Sequence, residues 1–276
     1  MKSALLVGVA YGGTEYELPG CINDVMSIAD FAGSRGFREV TIMRDNLPLS
    51  SDEYPSRNKV ITRLYRMVKS MGSNDSLWLH FSGHGFYVGS GNEISTTGGS
   101  KIAATANQCI LLRNEDRASL TDIDETNTLC EEQLVRLFHN LHGGARVLVT
   151  VDACASGNMF DLRYNVQVAA DSSSDRASFT MQEQHERDLD KNVAIFTAVN
   201  KLKFAWDAEP KGMRESYGVF SMLLMTILKQ MVSEGKSLSY LDLLYLLHAR
   251  FQDRVNKQDP QLSVPTKETI EHMVWV

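Results

Sequence analysis

Along this chain short apolar runs alternate with stretches in which apolar residues recur every three or four positions. Ala4 to Val9 is a continuous apolar run ending at Tyr11-Gly12-Gly13, the pattern of a buried strand followed by a loop. From Asn23, the residues Val25, Ile28, Ala29 and Phe31 fall on one helical face, with Asn23 or Asp24 available as a cap and Gly33 and Gly36 ending the pattern. Glu39 to Met43 reads as a second strand, Ser56 to Met71 as a second helix, and Ser76 to Phe81 as a third strand after the turn at Gly72-Ser73-Asn74.

Beyond this, Gly83 to Ser100 is rich in Gly, Ser and Thr and reads as a loop, Gln108 to Leu112 as a short strand, and Glu131 to Leu141 as an amphipathic helix. Arg146 to Val151 is a clear apolar strand. Ala169 to Lys191 is dense in Ser, Asp, Glu and Gln and long for a connection inside a compact domain, which predicts a mobile linker. Asn192 to Val199 then reads as a strand, Val219 to Ser233 and Tyr240 to Arg250 as helices, and Thr269 to Val276 as a last strand. The alternation predicts one compact α/β domain, a sheet with helices on its faces, and no internal repeat.

Composition narrows the function classes. The 276 residues are 43% hydrophobic and 22% charged, ordinary for a globular domain, and no apolar run reaches a membrane span. A net charge of -6 without a basic block excludes a nucleic-acid surface and gives slight favour to basic peptides as substrates. Cys21, Cys109, Cys130 and Cys154 show no CxxC pairing and are too few for a disulfide framework, so a reducing, cytoplasmic location is expected. Met1-Lys2-Ser3 leads straight into the first strand without a cleavable signal pattern.

Two motifs place a reactive side chain just after an apolar strand: His80-Phe81-Ser82-Gly83-His84-Gly85 and Val151-Asp152-Ala153-Cys154-Ala155-Ser156-Gly157. Ligands of α/β sheets bind at the carboxyl ends of strands. If these two strands are parallel neighbours, His84 and Cys154 emerge on the same edge. A thiolate is nucleophilic, and a nearby imidazole either takes its proton or stabilises the anion, then protonates the leaving amine. The flanking glycines would let the amides of Gly85 and Cys154 approach a developing oxyanion.

Ser82-Gly83-His84-Gly85 and Asp152-Ala153-Cys154-Ala155-Ser156-Gly157 resemble the histidine and cysteine motifs of metacaspases. Gly20-Cys21-Ile22-Asn23-Asp24 and Gln258-Asp259-Pro260-Gln261-Leu262-Ser263 resemble that family's early and late motifs. The likeness covers residues 3 to 275. It implies a caspase-like sandwich, with a mostly parallel central sheet between two helix layers. It implies a large-subunit-like part at 1–168, the linker at 169–191 and a small-subunit-like part at 192–276, of the type I kind without a prodomain.

The implied activity is endopeptidase cleavage after Arg or Lys through a thioester acyl-enzyme, acting on protein or peptide substrates as a monomer. Cys21, Asp24, Ser82 and Asp152 match the residues that line the pocket for the basic side chain, where two carboxylates would pair with a guanidinium. Without the likeness, Asp24 reads as a helix cap and Asp152 as a brace for the cysteine loop.

The chain departs from the family pattern at Ala153 and Ala155, beside the nucleophile, and in the acid-rich loop, reduced to Thr105-Ala106-Asn107-Gln108. By the same resemblance Asp161 fits a calcium-ligand position and Glu131-Glu132 could replace the acidic pair, or else form a solvated helix start. So thin a set predicts binding that is weak or lost, since calcium takes six to eight oxygens. Arg176, Arg187 and Lys191 offer self-processing sites within the linker. The competing reading is a catalytically silent scaffold kept as a binding or regulatory module, which the presence of both His84 and Cys154 argues against.

Overall fold

The computed structural model describes residues 1–88, 94–95, 107–115, 123–153, 162–168, 179–183, 189, 191–198, 207–208, 216–252 and 259–275. Strand β1 (Lys2–Gly8) is followed by α1 (Gly20–Ser34), β2 (Glu39–Arg44), α2 (Arg57–Ser70) and β3 (Ser76–Ser82). Here the alternation breaks. Four short strands, β4 (Gly85–Val88), β5 (Ile94–Ser95), β6 (Asn107–Leu111) and β7 (Thr128–Cys130), come before α3 (Glu131–Phe138). Then follow β8 (Arg146–Asp152), β9 (Tyr164–Val168), β10 (Phe179–Glu183), β11 (Asn192–Thr197), β12 (Asp207–Ala208), β13 (Tyr217–Gly218), α4 (Val219–Ser233), α5 (Tyr240–Gln252) and β14 (Gln261–Val264).

The main sheet has eight strands in the order β10-β9-β14-β11-β8-β3-β1-β2. The five from β2 to β11 are parallel, and β14, β9 and β10 continue the sheet antiparallel to their neighbours. Strands covered on both sides read as unbroken apolar runs, which is why β1 and β8 stand out in the sequence. Alternate residues divide between two cores. Leu5, Val7, Leu79, Phe81, Val149 and Val151 face α2 and α3, whereas Leu6, Trp78, Leu148 and Phe196 face α1, α4 and α5. The fold is the caspase-like α/β arrangement expected, and strands from before and after the polar stretch share one sheet.

Several local expectations are corrected. The supposed loop from Gly83 to Ser100 contains β4 and β5, because pairing with β6 makes strands of segments too short to show a period. The four cysteines are not all thiols: Cys109 and Cys130 form a disulfide. Separation in sequence hides the pairing, and it is the antiparallel register of β6 and β7 that sets the two opposite each other.

Within 169–191, expected as a linker, Phe179–Glu183 is strand β10 paired with β9, and residues 169–178, 184–188 and 190 lie outside the described residues. The predicted last strand from Thr269 is instead a 3-10 turn, Lys267–Glu271, followed by a single bridge from Met273 to Ser239. The strand lies earlier, at β14, between Pro260 and Pro265.

Asn23 and Asp24 do not cap α1, which starts four residues before Asp24 behind Pro19. Asp24 is buried inside the helix and its carboxylate is used elsewhere.

Candidate active site

β3 and β8 are parallel neighbours in register, with Ser82 opposite Asp152. The ladder continues one step further, Gly83 N–H donating to Asp152 O at 3.2 Å. His84 stands two residues beyond the paired position on one strand. Cys154 follows it by two in sequence on the other, and lies outside the described residues together with Asp161.

The half-buried His84 ring is enclosed by aromatic groups. Tyr11 lies at 5.0 Å between ring centroids, and Tyr16 and Phe86 at 6.0 Å. Burial lowers its pKa below 6.5, partly offset by a hydrogen bond with the Tyr16 carbonyl. That bond, at 2.8 Å, fixes the tautomer: a carbonyl only accepts, so Nε2 carries the hydrogen and Nδ1 keeps its lone pair. The imidazole is therefore neutral near pH 7, with a basic nitrogen on the side away from Tyr16.

Gly85 opens β4. Leu111 N–H donates to His84 O at 2.9 Å, so His84 and Leu111 form a hydrogen-bonded pair. Gly85, opposite Ile110, takes the next, non-hydrogen-bonded position. Its N–H therefore points away from β6.

The predicted pocket acids come together from two elements, α1 and β8. Asp24, 1% exposed, accepts from Ser82 Oγ at 2.6 Å and from Gly218 N–H at 3.0 and 3.1 Å. Asp152, 5% exposed, accepts from both the N–H and the hydroxyl of Ser221 at 2.9 and 2.8 Å. A Cβ placed on Gly218 would stand 2.2 Å from Asp152 Oδ2 and 2.8 Å from Asp24 Oδ2. Both carboxylates thus converge on Gly218 and meet the N-terminus of α4, whose first amides lack partners within the helix. Cys21 is buried one turn before Asp24 on α1.

Neither Gly218 nor Ser221 is singled out by the sequence, although a glycine ahead of an apolar helix is a recognisable start signal. Tyr11 is missed as well, being part of an apparently ordinary glycine-rich turn.

The metacaspase, peptidase C14 domain profile matches residues 2–163, more than half of the chain. This chain belongs to the metacaspase family. Among its relatives, Metacaspase-1 of Eremothecium gossypii is 31% identical over 170 residues, covering 59% of this chain and 33% of that protein. Metacaspase-1 of Plasmodium falciparum is 23% identical over 262 residues, covering 93% and 39%. The matched stretch is thus well under half the length of those relatives.

Two solved structures share the fold of this metacaspase. A Geobacter sulfurreducens protein superposes with a TM-score of 0.64 at 18% identity, over 98% of this chain and 97% of its own. Caspase-1 from Spodoptera frugiperda gives 0.55 at 14%, over 97% and 86%.

Of the matching calcium ligands, Glu131 and Glu132 open α3. Glu131 is 2% exposed, whereas Glu132 is on the surface in an ion pair with Arg136 one turn on. Two carboxylates offer at most about four oxygens, fewer than calcium takes, and one of these two already has a cation. Among the described residues, no group of three or more His, Cys, Asp or Glu is arranged around a metal position. These two carboxylates alone do not fill the ion's coordination shell, and Asp161, the third expected ligand, lies outside the described residues. Among those residues, no helix is long and apolar enough to cross a membrane.

Proposed function

We propose that this metacaspase domain is a cysteine endopeptidase that hydrolyses peptide bonds after Arg or Lys. The observation that carries the proposal is the parallel pairing of β3 with β8 at Ser82 and Asp152, which stand two residues before His84 and two residues before Cys154 in sequence. The convergence of Asp24 and Asp152 beside that edge supports the specificity.

In this reading, His84 Nδ1 takes the proton of the Cys154 thiol. The thiolate sulfur attacks the scissile carbonyl carbon, and its oxygen becomes an oxyanion held by the N–H of Gly85. Collapse of the tetrahedral species expels the amine, protonated by His84, and leaves a thioester. Water, deprotonated by the same imidazole, then releases the acid and restores the thiol. The substrate's guanidinium or ammonium enters beside Asp24 and Asp152, with Ser82 and Cys21 as further wall. Every residue named comes from one chain, so a monomer suffices.

Calcium is at most a weak effector in this proposal, because the acid-rich loop of the family is reduced to Thr105-Ala106-Asn107-Gln108 and Glu131 and Glu132 alone supply too few oxygens. Within the polar stretch, Arg176 and Arg187 are the candidate self-processing sites. Lys191 is less suited, since its ammonium is held by the Leu141 carbonyl. No compartment is part of the proposal, since the Cys109–Cys130 disulfide departs from the reducing setting that the cysteine count suggested.

Fluorogenic peptides ending in Arg, Lys or Asp, assayed across a calcium titration beside Cys154→Ala and His84→Ala, test the reading. The expected result is cleavage after Arg and Lys that both variants abolish, with little dependence on calcium. A steep rise with calcium would overturn the metal proposal alone. Absence of any cleavage across calcium and pH would favour the silent scaffold instead.

A further inference from the structure

Among the described residues, Tyr11 is the one non-glycine residue with positive φ, at 53°. A bulky side chain there is an outlier, at a cost of about 1–3 kcal/mol, and persists only where its surroundings impose it. The surroundings are specific. Asp45 accepts Ala10 N–H through Oδ1 and Tyr11 N–H through Oδ2, each at 2.8 Å. Asp45 is itself buried beside Arg113, with 3.8 Å between Oδ2 and Nη1. On the other side, the Thr14 amide and hydroxyl both donate to the Tyr11 carbonyl, at 3.1 and 2.7 Å.

This turn delivers a hydroxyl to the root of the candidate base. His84 N–H donates to Tyr11 Oη at 2.9 Å, and the hydroxyl donates to Leu111 O at 2.7 Å. In an unbroken antiparallel pair, His84 and Leu111 would exchange both bonds directly. Only the bond from Leu111 N–H to His84 O forms directly. The other is replaced by the phenol, which holds the two strands apart at that point. Gly83 leaves the room, since a Cβ there would stand 2.7 Å from Tyr11 Oη. Burial keeps the phenol protonated, its pKa raised well above 10 with Cys21, Asp45 and Arg113 as its charged or titratable neighbours.

We propose that Tyr11 is a positioning residue for His84, its wedged hydroxyl setting where β4 leaves the sheet edge and so where the imidazole stands. The proposal rests on the reading of His84 as the base. Removing the hydroxyl leaves a buried N–H and C=O to find each other, which draws the start of β4 toward β6 and moves the ring. A displacement of about 1 Å at a catalytic group can cost about 100-fold in rate.

The test is Tyr11→Phe, which keeps the ring, beside Leu247→Ala in the distant helix α5 as a control for general loss of stability. For Tyr11→Phe, kcat on an Arg-terminated peptide should fall about 10-fold to 100-fold with KM within about threefold. The control, with an equal or larger fall in Tm, should keep its kcat. NMR titration of His84 in the Cys154→Ala background needs no turnover, and there Tyr11→Phe should move the imidazole pKa up toward its ordinary value.

An unchanged His84 titration, or an unchanged kcat, would overturn the proposal, as would an equal fall in kcat for Leu247→Ala. If the wild-type chain proves inactive, the base reading fails, and the titration still decides whether Tyr11 positions the ring. Should Tyr11→Phe not fold, Asp45→Asn, which loosens one anchor of the Tyr11 backbone, carries the same readouts.

Discussion

The two flanks of the candidate site rise from the same sheet edge and are built in opposite ways. On the His84 flank, a small antiparallel sheet and three aromatic rings surround an imidazole that has the Tyr16 carbonyl at Nε2. On the acid flank, Asp24 and Asp152 are buried more deeply, yet directed amides and hydroxyls from Ser82, Gly218 and Ser221 meet them. Apolar enclosure favours the uncharged form of a titrating group, whereas converging donors suit an acceptor-only carboxylate. One edge can therefore carry a neutral imidazole beside two hydrogen-bonded carboxyl groups, provided different elements line the two.

The largest effect is expected on the acid flank. Asp152→Asn keeps an oxygen for the Ser221 amide but removes the charge that a basic side chain would meet. Breaking a buried charge pair costs about 3–5 kcal/mol, so kcat/KM for an Arg peptide should fall about 150-fold to 4,000-fold. Asp24→Asn should act in the same direction. Equal losses on Arg and neutral peptides would mean that the acids serve only to cap α4, and the contrast between the flanks would lose its functional half.

On the His84 flank the comparable fixture is covalent. The Cys109–Cys130 bridge joins β6 to β7, and β6 is the strand on which β4 leans. Closing a loop across 21 residues stabilises by about 3 kcal/mol on the chain-entropy account. Cys109→Ser should lower denaturant stability by about that amount without reductant, and reductant should erase the difference from wild type. Equal stability without reductant would show that pairing alone holds this flank.

The same contrast explains what the sequence made legible. β1, β3 and β8 are covered on both faces, so burial wrote them as apolar runs, and the motif glycines marked where they end. The acids were found as a pair through a resemblance, and Ser82 with them, but Gly218 and Ser221 were not. Gly218 is nearly 200 positions from Asp24, and nothing local in either segment encodes the meeting. β6 was legible as a short strand, whereas β4 and β7 owe their form to pairing with it, and so does the disulfide. Tyr11 acts through backbone geometry imposed by Asp45, which no periodicity records.

Gly218 sharpens the acid flank further. With its Cβ 2.2 Å from Asp152 Oδ2, Gly218→Ala must push apart the carboxylate and the start of α4. Overpacking of this kind costs about 1–3 kcal/mol. Tm should fall, and KM for basic peptides should rise more than kcat drops. Unchanged kinetics would mean that the pocket is broader than the convergence of its two acids implies.

The smallest effect is a displacement along the pH axis, and it bears on how the base works. Enclosure puts the folded pKa of His84 below its unfolded value near 6.5, so its neutral form dominates at pH 7. The stability this group contributes is full above that unfolded value and is lost as pH falls through the folded one. Stability is nonetheless a poor readout. His80, wholly buried with Thr150 at its Nδ1, has its pKa pushed down to about 3 and imposes a wider loss over the same range. Rate avoids this, because His80 stays neutral throughout the assay window. The acid limb of kcat/KM should therefore lie below pH 6.5 and report His84 as a neutral acceptor of the thiol proton. A limb at or above that value would mean that enclosure does not set the proton affinity of His84 during turnover, and the neutral-acceptor reading would fail.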